Sequence, residues 1–501
     1  MPTWWREHRG TELKLTTWTD DARIAADNLA DFATGLFTPT VRLGVTGLSR
    51  SGKTVFITAL VHNLIHGGRL PLFAPWSEGR LARAYLAHQP DDNVPRFDYE
   101  RHVATLVEDR EWPHSTRQVS ELRLTVEYES AGYFSRTLGR GRLNVDIVDY
   151  PGEWLLDLPL LGKTYDQWSS QAIGLARESA RKSLSGPWLE ALAGASAQGP
   201  ADEVLAANLA ESFTAYLKAC RDDRHALSAL PPGRFLMPGD LAGSPALTFA
   251  PLVRPASGQA PKESLWALME RRYEAYKTHV VRPFFREHFA RLDRQIVLVD
   301  ALAALNAGPL AVADLEAALA DILACFKPGS GSWLSGILTR RIDRILFAAT
   351  KADHLHHEGH ARLQAVLARL VDRAVERAKF SGAAVDIVAM AAIRATREAR
   401  LKHEGEDLGA ILGTPLPGER VGGETYDGET EIAVFPGDLP ADPEELFDAG
   451  RRPAEPETDE TWRFVRFRPP KLEKTVEGFT LSLPHIRLDK GLQFLLGDRL
   501  A

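Results

Sequence analysis

Val41-Arg-Leu-Gly-Val45 continues through Thr46 into Gly47-Leu-Ser-Arg-Ser-Gly-Lys-Thr54, and residues 55–65 follow as an apolar helical run. The first five residues read as a short buried strand, so the glycine-rich turn sits between a strand and a helix. A turn of this composition at a helix start is an anion site. Gly47 and Gly52 let the backbone bend so that successive N–H groups, among them those of Ser49, Arg50, Ser51 and Val55, face a phosphate. The helix adds the positive end of its dipole. Lys53 supplies a point charge to β- and γ-phosphates, and the Thr54 hydroxyl is suited to ligate Mg2+.

Downstream, residues 119–128 alternate apolar and polar, and residues 143–148 form an apolar run that ends in Asp149-Tyr-Pro-Gly152. A carboxylate at the end of a buried strand can hold a water on Mg2+, and the Gly152 N–H can reach a γ-phosphate. Three further buried-strand patterns cover residues 295–299, 344–348 and 385–389, with helical segments between them. The second of these runs into Thr350-Lys351-Ala352-Asp353. Asp353 can accept from the N1–H and N2–H2 of guanine, which adenine does not offer, while the Lys351 stem can lie along the base. The last runs into Met390-Ala-Ala-Ile-Arg394, where the N–H groups of Ala392 and Ile393 can face the guanine O6.

The strand and helix alternation argues for a mostly parallel sheet wrapped by helices. At 501 residues the chain is too long for one ordinary core. Residues 1–40 form an N-terminal helical segment, with an amphipathic pattern over 20–37. Residues 41–154 are the first part of the nucleotide domain, interrupted by an irregular insertion at about 66–112. Residues 155–294 read as a helical insertion, with helical stretches at 163–193, 202–227 and 262–291. Residues 295–402 are the second part. Residues 403–501 form an extension rich in proline and glycine, with β-like runs at 430–435, 462–467 and 479–483 and an apolar stretch at 488–496.

Composition is that of a soluble globular chain, 44% hydrophobic and 25% charged. A net charge of −7 advertises no nucleic-acid partner, and the basic pieces at 270–273 and 282–286 read as solvated faces. Two cysteines make no disulfide framework and fit a reducing compartment. No secretory signal or membrane span is read. The expectation is a cytoplasmic chain, with peripheral attachment at the inner membrane through a partner left open.

The order of phosphate loop, Asp-x-x-Gly, Thr-Lys-x-Asp and small-residue loop resembles the G-protein class of P-loop GTPases. More closely, residues 46–54, Asp149-Tyr-Pro-Gly-Glu-Trp154, Ala391-Ala-Ile-Arg-Ala-Thr396 and Gln493-Phe-Leu-Leu-Gly-Asp498 look like the bacterial YcjX family, whose members carry a stress-related label. The resemblance covers nearly the whole chain. It implies an α/β, P-loop GTPase-like fold with a large helical insertion and a β-containing C-terminal extension. It also implies GTP or GDP with Mg2+, and a membrane protein as a possible partner.

A GTPase needs a threonine just before its second strand to sense the γ-phosphate through Mg2+. Thr116 is the candidate and Ser115 the runner-up. Many GTPases follow the Asp-x-x-Gly glycine with a glutamine that orients the attacking water. Glu153 stands there, and a γ-phosphate would repel it unless a cation or proton offsets the charge. Arg50 occupies a loop position from which positive charge can reach the transition state in cis. Lys53, Thr116, Arg50 and Glu153 are therefore the candidate hydrolytic residues. His354, His356, His357 and His360 cluster after Asp353 without an evident third metal partner, and read as solvated. The rival readings are an ATPase or kinase on the same loop, and a nucleotide-binding stress module with negligible turnover.

Overall fold

The computed structural model describes residues 38–48, 50–131, 141–222, 224–255, 260–325, 342–380, 382–403, 406–421, 423–447, 464–472 and 482–501. The expected helix at 20–37 and most of the N-terminal segment lie outside them, as does Ser49.

The described residues hold a seven-stranded sheet in the order β2-β3-β4-β1-β5-β6-β7. Strand β1 (Thr40–Gly47) is central. It pairs in parallel with β4 (Gly141–Asp149) on one side and β5 (Arg294–Val299) on the other. Parallel β6 (Arg344–Ala349) and β7 (Ala384–Ala389) complete that half. Strands β1, β4, β5 and β6 are largely buried, and the edge strand β7 is buried at its carboxyl end; all five read as mostly apolar runs, which is why the sequence exposes them. The register sets Val45 against Asp149, Gly47 against Leu298, Val299 against Ala349 and Ala349 against Ala389. The strand ends carrying every motif therefore share one edge of the sheet.

On the other flank β3 (Ser120–Tyr128) runs antiparallel to β4, and β2 (Leu81–Ala87) runs antiparallel to β3. The expectation that residues 66–112 are irregular fails at β2. Its side chains are mostly half-buried or exposed, as suits an edge strand, so no clean alternation marks it.

Helix α1 (Lys53–Ile65) covers one face of the sheet and is buried nearly all round, because α10 (Leu488–Leu496) lies on the same face. Leu488, Leu492, Leu495 and Leu496 of α10 pack into one core with Val45, Ile57, Leu60, Leu346 and Val388. The other face carries α6 (Ala301–Ala307), α7 (Pro309–Ala324), α8 (His360–Leu370) and α9 (Asp372–Phe380).

The helical insert contains α2 (Tyr165–Arg177), α3 (Ser179–Ala193), α4 (Glu203–Arg221) and α5 (Leu265–Tyr276). It has its own aromatic core, with Trp168 stacked on Tyr273 and Trp188 on Tyr216. The 3-10 helix Gly152–Gly162, which directly follows the Asp-x-x-Gly turn, packs into that core.

A three-stranded antiparallel sheet joins β8 (Arg397–His403), β9 (Glu406–Gly413) and β10 (Ile432–Val434). The β8–β9 pair crosses the expected boundary at 402–403, so that boundary falls inside a structural unit. The run at 462–467 is no strand in its described part. Residues 464–467 make only an isolated bridge between Phe467 and Pro415. The run at 479–483 lies mostly outside the described residues. Among the described residues no helix is long and apolar enough to cross a membrane.

Candidate functional site

Ser51, Gly52, Lys53, Thr54, Thr116, Gly152, Glu153, Lys351, Asp353, Ala392 and Ile393 line one cleft of about 340 Å3 at the carboxyl ends of the strands. Arg50 and Val55 line it with them.

The loop itself is tightly constrained. Gly52 has φ 84° and Arg50 φ 63°, both left-handed. A Cβ on Gly47 would lie 2.6 Å from the Leu298 carbonyl oxygen, so the neighbouring strand demands glycine there. Gly152 is demanded by the loop in turn. A Cβ on it would sit 2.1 Å from the Gly47 carbonyl oxygen and 2.8 Å from Lys53 Nζ. The Asp-x-x-Gly turn is thus pressed against the phosphate loop.

Lys53 is buried and donates to the carbonyls of Gly47 at 3.0 Å and Leu48 at 3.4 Å. Burial pulls its ammonium down, against the opposing charges of Glu153 and Asp149. Thr54 Oγ1 lies 3.3 Å from Thr116 Oγ1, and Thr116 donates to Asp149 Oδ2 at 2.5 Å. Burial pushes the Asp149 carboxyl up to about 6, offset in part by Lys53 and Thr116. Its other oxygen, Oδ1, and the Ser51 hydroxyl are buried without a partner among the described residues. Two hydroxyls beside a carboxylate with an orphaned oxygen form a hard oxygen donor set, which suits Mg2+ and its waters.

Asp353 is buried and follows Lys351, whose backbone is left-handed at φ 60°. Asp353 Oδ2 accepts from the Ala395 N–H at 2.8 Å, and Thr396 Oγ1 donates to the Asp353 carbonyl. Lys351 Nζ is paired with Asp300, at the end of β5. The amides of Ala391 and Arg394 bond to the carbonyls of Ile486 and Pro484, which fixes the loop holding Ala392 and Ile393.

The expected solvated histidines differ. His354, His356 and His360 are buried, and only His357 is exposed among the four. His354 meets Phe467 edge to face at 5.5 Å, and burial lowers its pKa. His356 packs on Gly409 of β9 and bonds Glu398 of β8 at 2.9 Å. The β8–β9 hairpin supplies that cover, and nothing local announces it.

Several residues of the site were not foreseen. Leu416, Arg466 and Phe467 of the extension line the cleft, as does Trp112. Trp112 Nε1 donates to the Phe467 carbonyl at 2.7 Å, so the extension holds the segment leading to Thr116. From the insert, Arg221 Nη1 lies 3.0 Å from Glu153 Oε1, which is the offsetting cation Glu153 requires. The insert also grips the segment after Gly152. Gly233 N–H donates to Asp157 Oδ1 at 2.7 Å, Tyr276 OH donates to Asp157 Oδ2 at 2.7 Å, and the Arg234 guanidinium lies over the Trp154 ring.

The model of the YcjX-like family, DUF463, matches residues 41–500. A protein of Escherichia coli named Ras-like GTPase YcjX is 38% identical over 472 residues, covering 92% of this chain and 96% of the relative. A protein of the same name from Shewanella oneidensis is 35% identical over 484 residues, covering 92% and 94%.

Proposed function

The chain belongs to the YcjX-like family, and on that premise we propose that it is a regulatory GTPase. It binds GTP and GDP with Mg2+, hydrolyses GTP slowly and passes the nucleotide state to its helical insert. The observation that carries this reading is the single cleft joining Lys53, Thr54 and Thr116 to Lys351 and Asp353 at the strand ends, with Asp149 bonded to Thr116 beside it.

In this reading Lys53 leaves the Gly47 and Leu48 carbonyls for the β- and γ-phosphates. Thr54, Thr116 and Asp149 would hold Mg2+. Bound Mg2+ would neutralise charge on the β- and γ-oxygens. Gly152 offers its N–H to the γ-phosphate, and Asp353 with Lys351 reads the base. Arg50 supplies charge in cis. Glu153 in place of glutamine favours slow turnover. Loss of the γ-phosphate releases Thr116 and Gly152, and the segment after Gly152 is built into the insert core, so the insert is the element set to respond. It is the part of the molecule we assign to a stress-related partner, for which the family resemblance offers a membrane protein.

Base choice is the test. Asp353 would make charge-assisted bonds to guanine worth about 1.5–3 kcal/mol each. ATP turns an unprotonated N1 toward the same carboxylate. Competition titration should therefore rank GTP over ATP by orders of magnitude. Asp353→Asn should weaken GTP and improve xanthosine triphosphate, which carries an oxygen at C2. Equal binding of ATP and GTP, or an unchanged ranking in the variant, would transfer the assignment to an ATPase.

A further inference from the structure

Glu153 is an unusual neighbour for a phosphate. It is 4% exposed, lines the cleft that holds Lys53, and acts electrostatically on both Lys53 and Arg50. A carboxylate in that place would be repelled by a γ-phosphate. What compensates it comes from 68 residues away, since Arg221 closes helix α4 of the insert and reaches Glu153 Oε1 with Nη1 at 3.0 Å. Both side chains line a second cavity of about 330 Å3 that adjoins the cleft and shares Arg50, Ser51, Lys351 and Arg466 with it. The Arg221 side chain remains 27% exposed, which leaves it open to solvent from the insert side.

We propose that Arg221 is a positioning residue for hydrolysis: it holds the Glu153 carboxylate in place beside the γ-phosphate, so the insert completes the hydrolytic site. The proposal rests on the GTPase reading above. A buried ion pair contributes little net stability, but removing one partner leaves an uncompensated charge. Without Arg221, the Glu153 carboxylate would turn away from the phosphate. Held in place, it accepts a hydrogen bond from the attacking water. The water oxygen forms a bond to Pγ as the bond from Pγ to the bridging oxygen breaks, and that electron pair stays on the β-phosphate of GDP. One water proton passes to Glu153 and then to solvent, and the other remains on the phosphate product. The insert gates this step, because any motion of the α4 end that lengthens the contact removes the compensating charge.

The experiment is single-turnover GTP hydrolysis, with GDP affinity measured in parallel, on the full chain. The proteins are wild type, Arg221→Ala, Arg221→Lys, Glu153→Gln and the Glu153→Gln/Arg221→Ala double variant. Arg221→Ala should slow hydrolysis about 10-fold or more while GDP affinity stays within about 3-fold. Arg221→Lys, which keeps the cation, should restore most of the rate. In the Glu153→Gln background there is no carboxylate to compensate, so adding Arg221→Ala should change the rate by less than about 2-fold. An unchanged rate in Arg221→Ala overturns the proposal. So does an equal loss in both backgrounds, which would assign Arg221 a direct phosphate contact or a purely structural role. If Arg221→Ala fails to fold, the Lys variant decides, since a rate at the Glu153→Gln level despite native GDP binding also overturns it. Wild-type protein that hydrolyses no GTP refutes the underlying reading before any variant is compared.

Discussion

Gly233→Ala would isolate the contact through which the insert touches the segment after Gly152. A Cβ at Gly233 would lie 1.7 Å from the Glu153 carbonyl oxygen, and real Cβ contacts stay beyond 3.0 Å. One of the two backbones must retreat by about 1.3 Å. Overpacking of this kind costs about 1–3 kcal/mol. The retreat also stretches the Gly233 N–H bond to Asp157, now 2.7 Å, whose loss removes about 1.5–3 kcal/mol because the acceptor is a carboxylate. Displacing a hydrolytic group by 1 Å lowers rates by about 100-fold. Urea unfolding should therefore show a loss of a few kcal/mol, and single-turnover hydrolysis a loss near two orders of magnitude with GDP still bound. Gly186→Ala in α3 is the control. Its added Cβ meets nothing within 4 Å, so it should gain about 0.5–1 kcal/mol and keep the wild-type rate. A folded Gly233→Ala protein that hydrolyses GTP at the wild-type rate would refute coupling between insert and site.

Lys53→Ala should nearly abolish nucleotide binding, and calorimetric titration showing native GTP affinity would remove the phosphate-site assignment. Arg50→Ala keeps a Cβ at the left-handed φ of 63°, so it tests the guanidinium alone. It should lower the hydrolysis rate more than it weakens GDP binding, and equal rates would leave Arg50 with a structural role. Burial raises the Asp157 carboxyl to about 6 from an ordinary 3.8. The folded chain thus holds that proton more tightly than the unfolded chain. The resulting stability is full below about pH 4 and is lost as pH rises to about 6. At 1.36 kcal/mol per pH unit, the wild-type margin over Asp157→Asn should shrink by roughly 3 kcal/mol across that window. Parallel curves from urea midpoints at pH 4 to 7 would refute this.

How much was legible depended on whether a contact is local in sequence. The five parallel strands carry mostly apolar runs because their faces are largely covered, and the phosphate loop, Asp149, Gly152 and Asp353 sit within a residue or a few of their ends. Strand β2 was invisible because Leu81, Arg83, Tyr85 and their neighbours face solvent as much as core. Arg221 and Arg466 carry no local signal. Each is an ordinary charged residue whose partner, Glu153 or Glu419, lies 68 or 47 positions away. Burial of His356 arises only once Gly409 of β9 comes to rest on it. Residues that bridge domain, insert and extension are set by tertiary packing, and the sequence marks them only as polar.

The position of α10 imposes an order on synthesis. The sheet face over β1 and β6 is closed by leucines at 488–496, and Asp498 pairs with the buried Arg294 guanidinium. Strand β1 leaves the ribosome about 440 residues before that helix does, an interval of roughly 20–90 s at ~5–20 residues per second. Throughout it, α1 covers its own part of that face, and the part that α10 closes stays open. The domain that begins with β1 thus has its core completed only when α10 has been made.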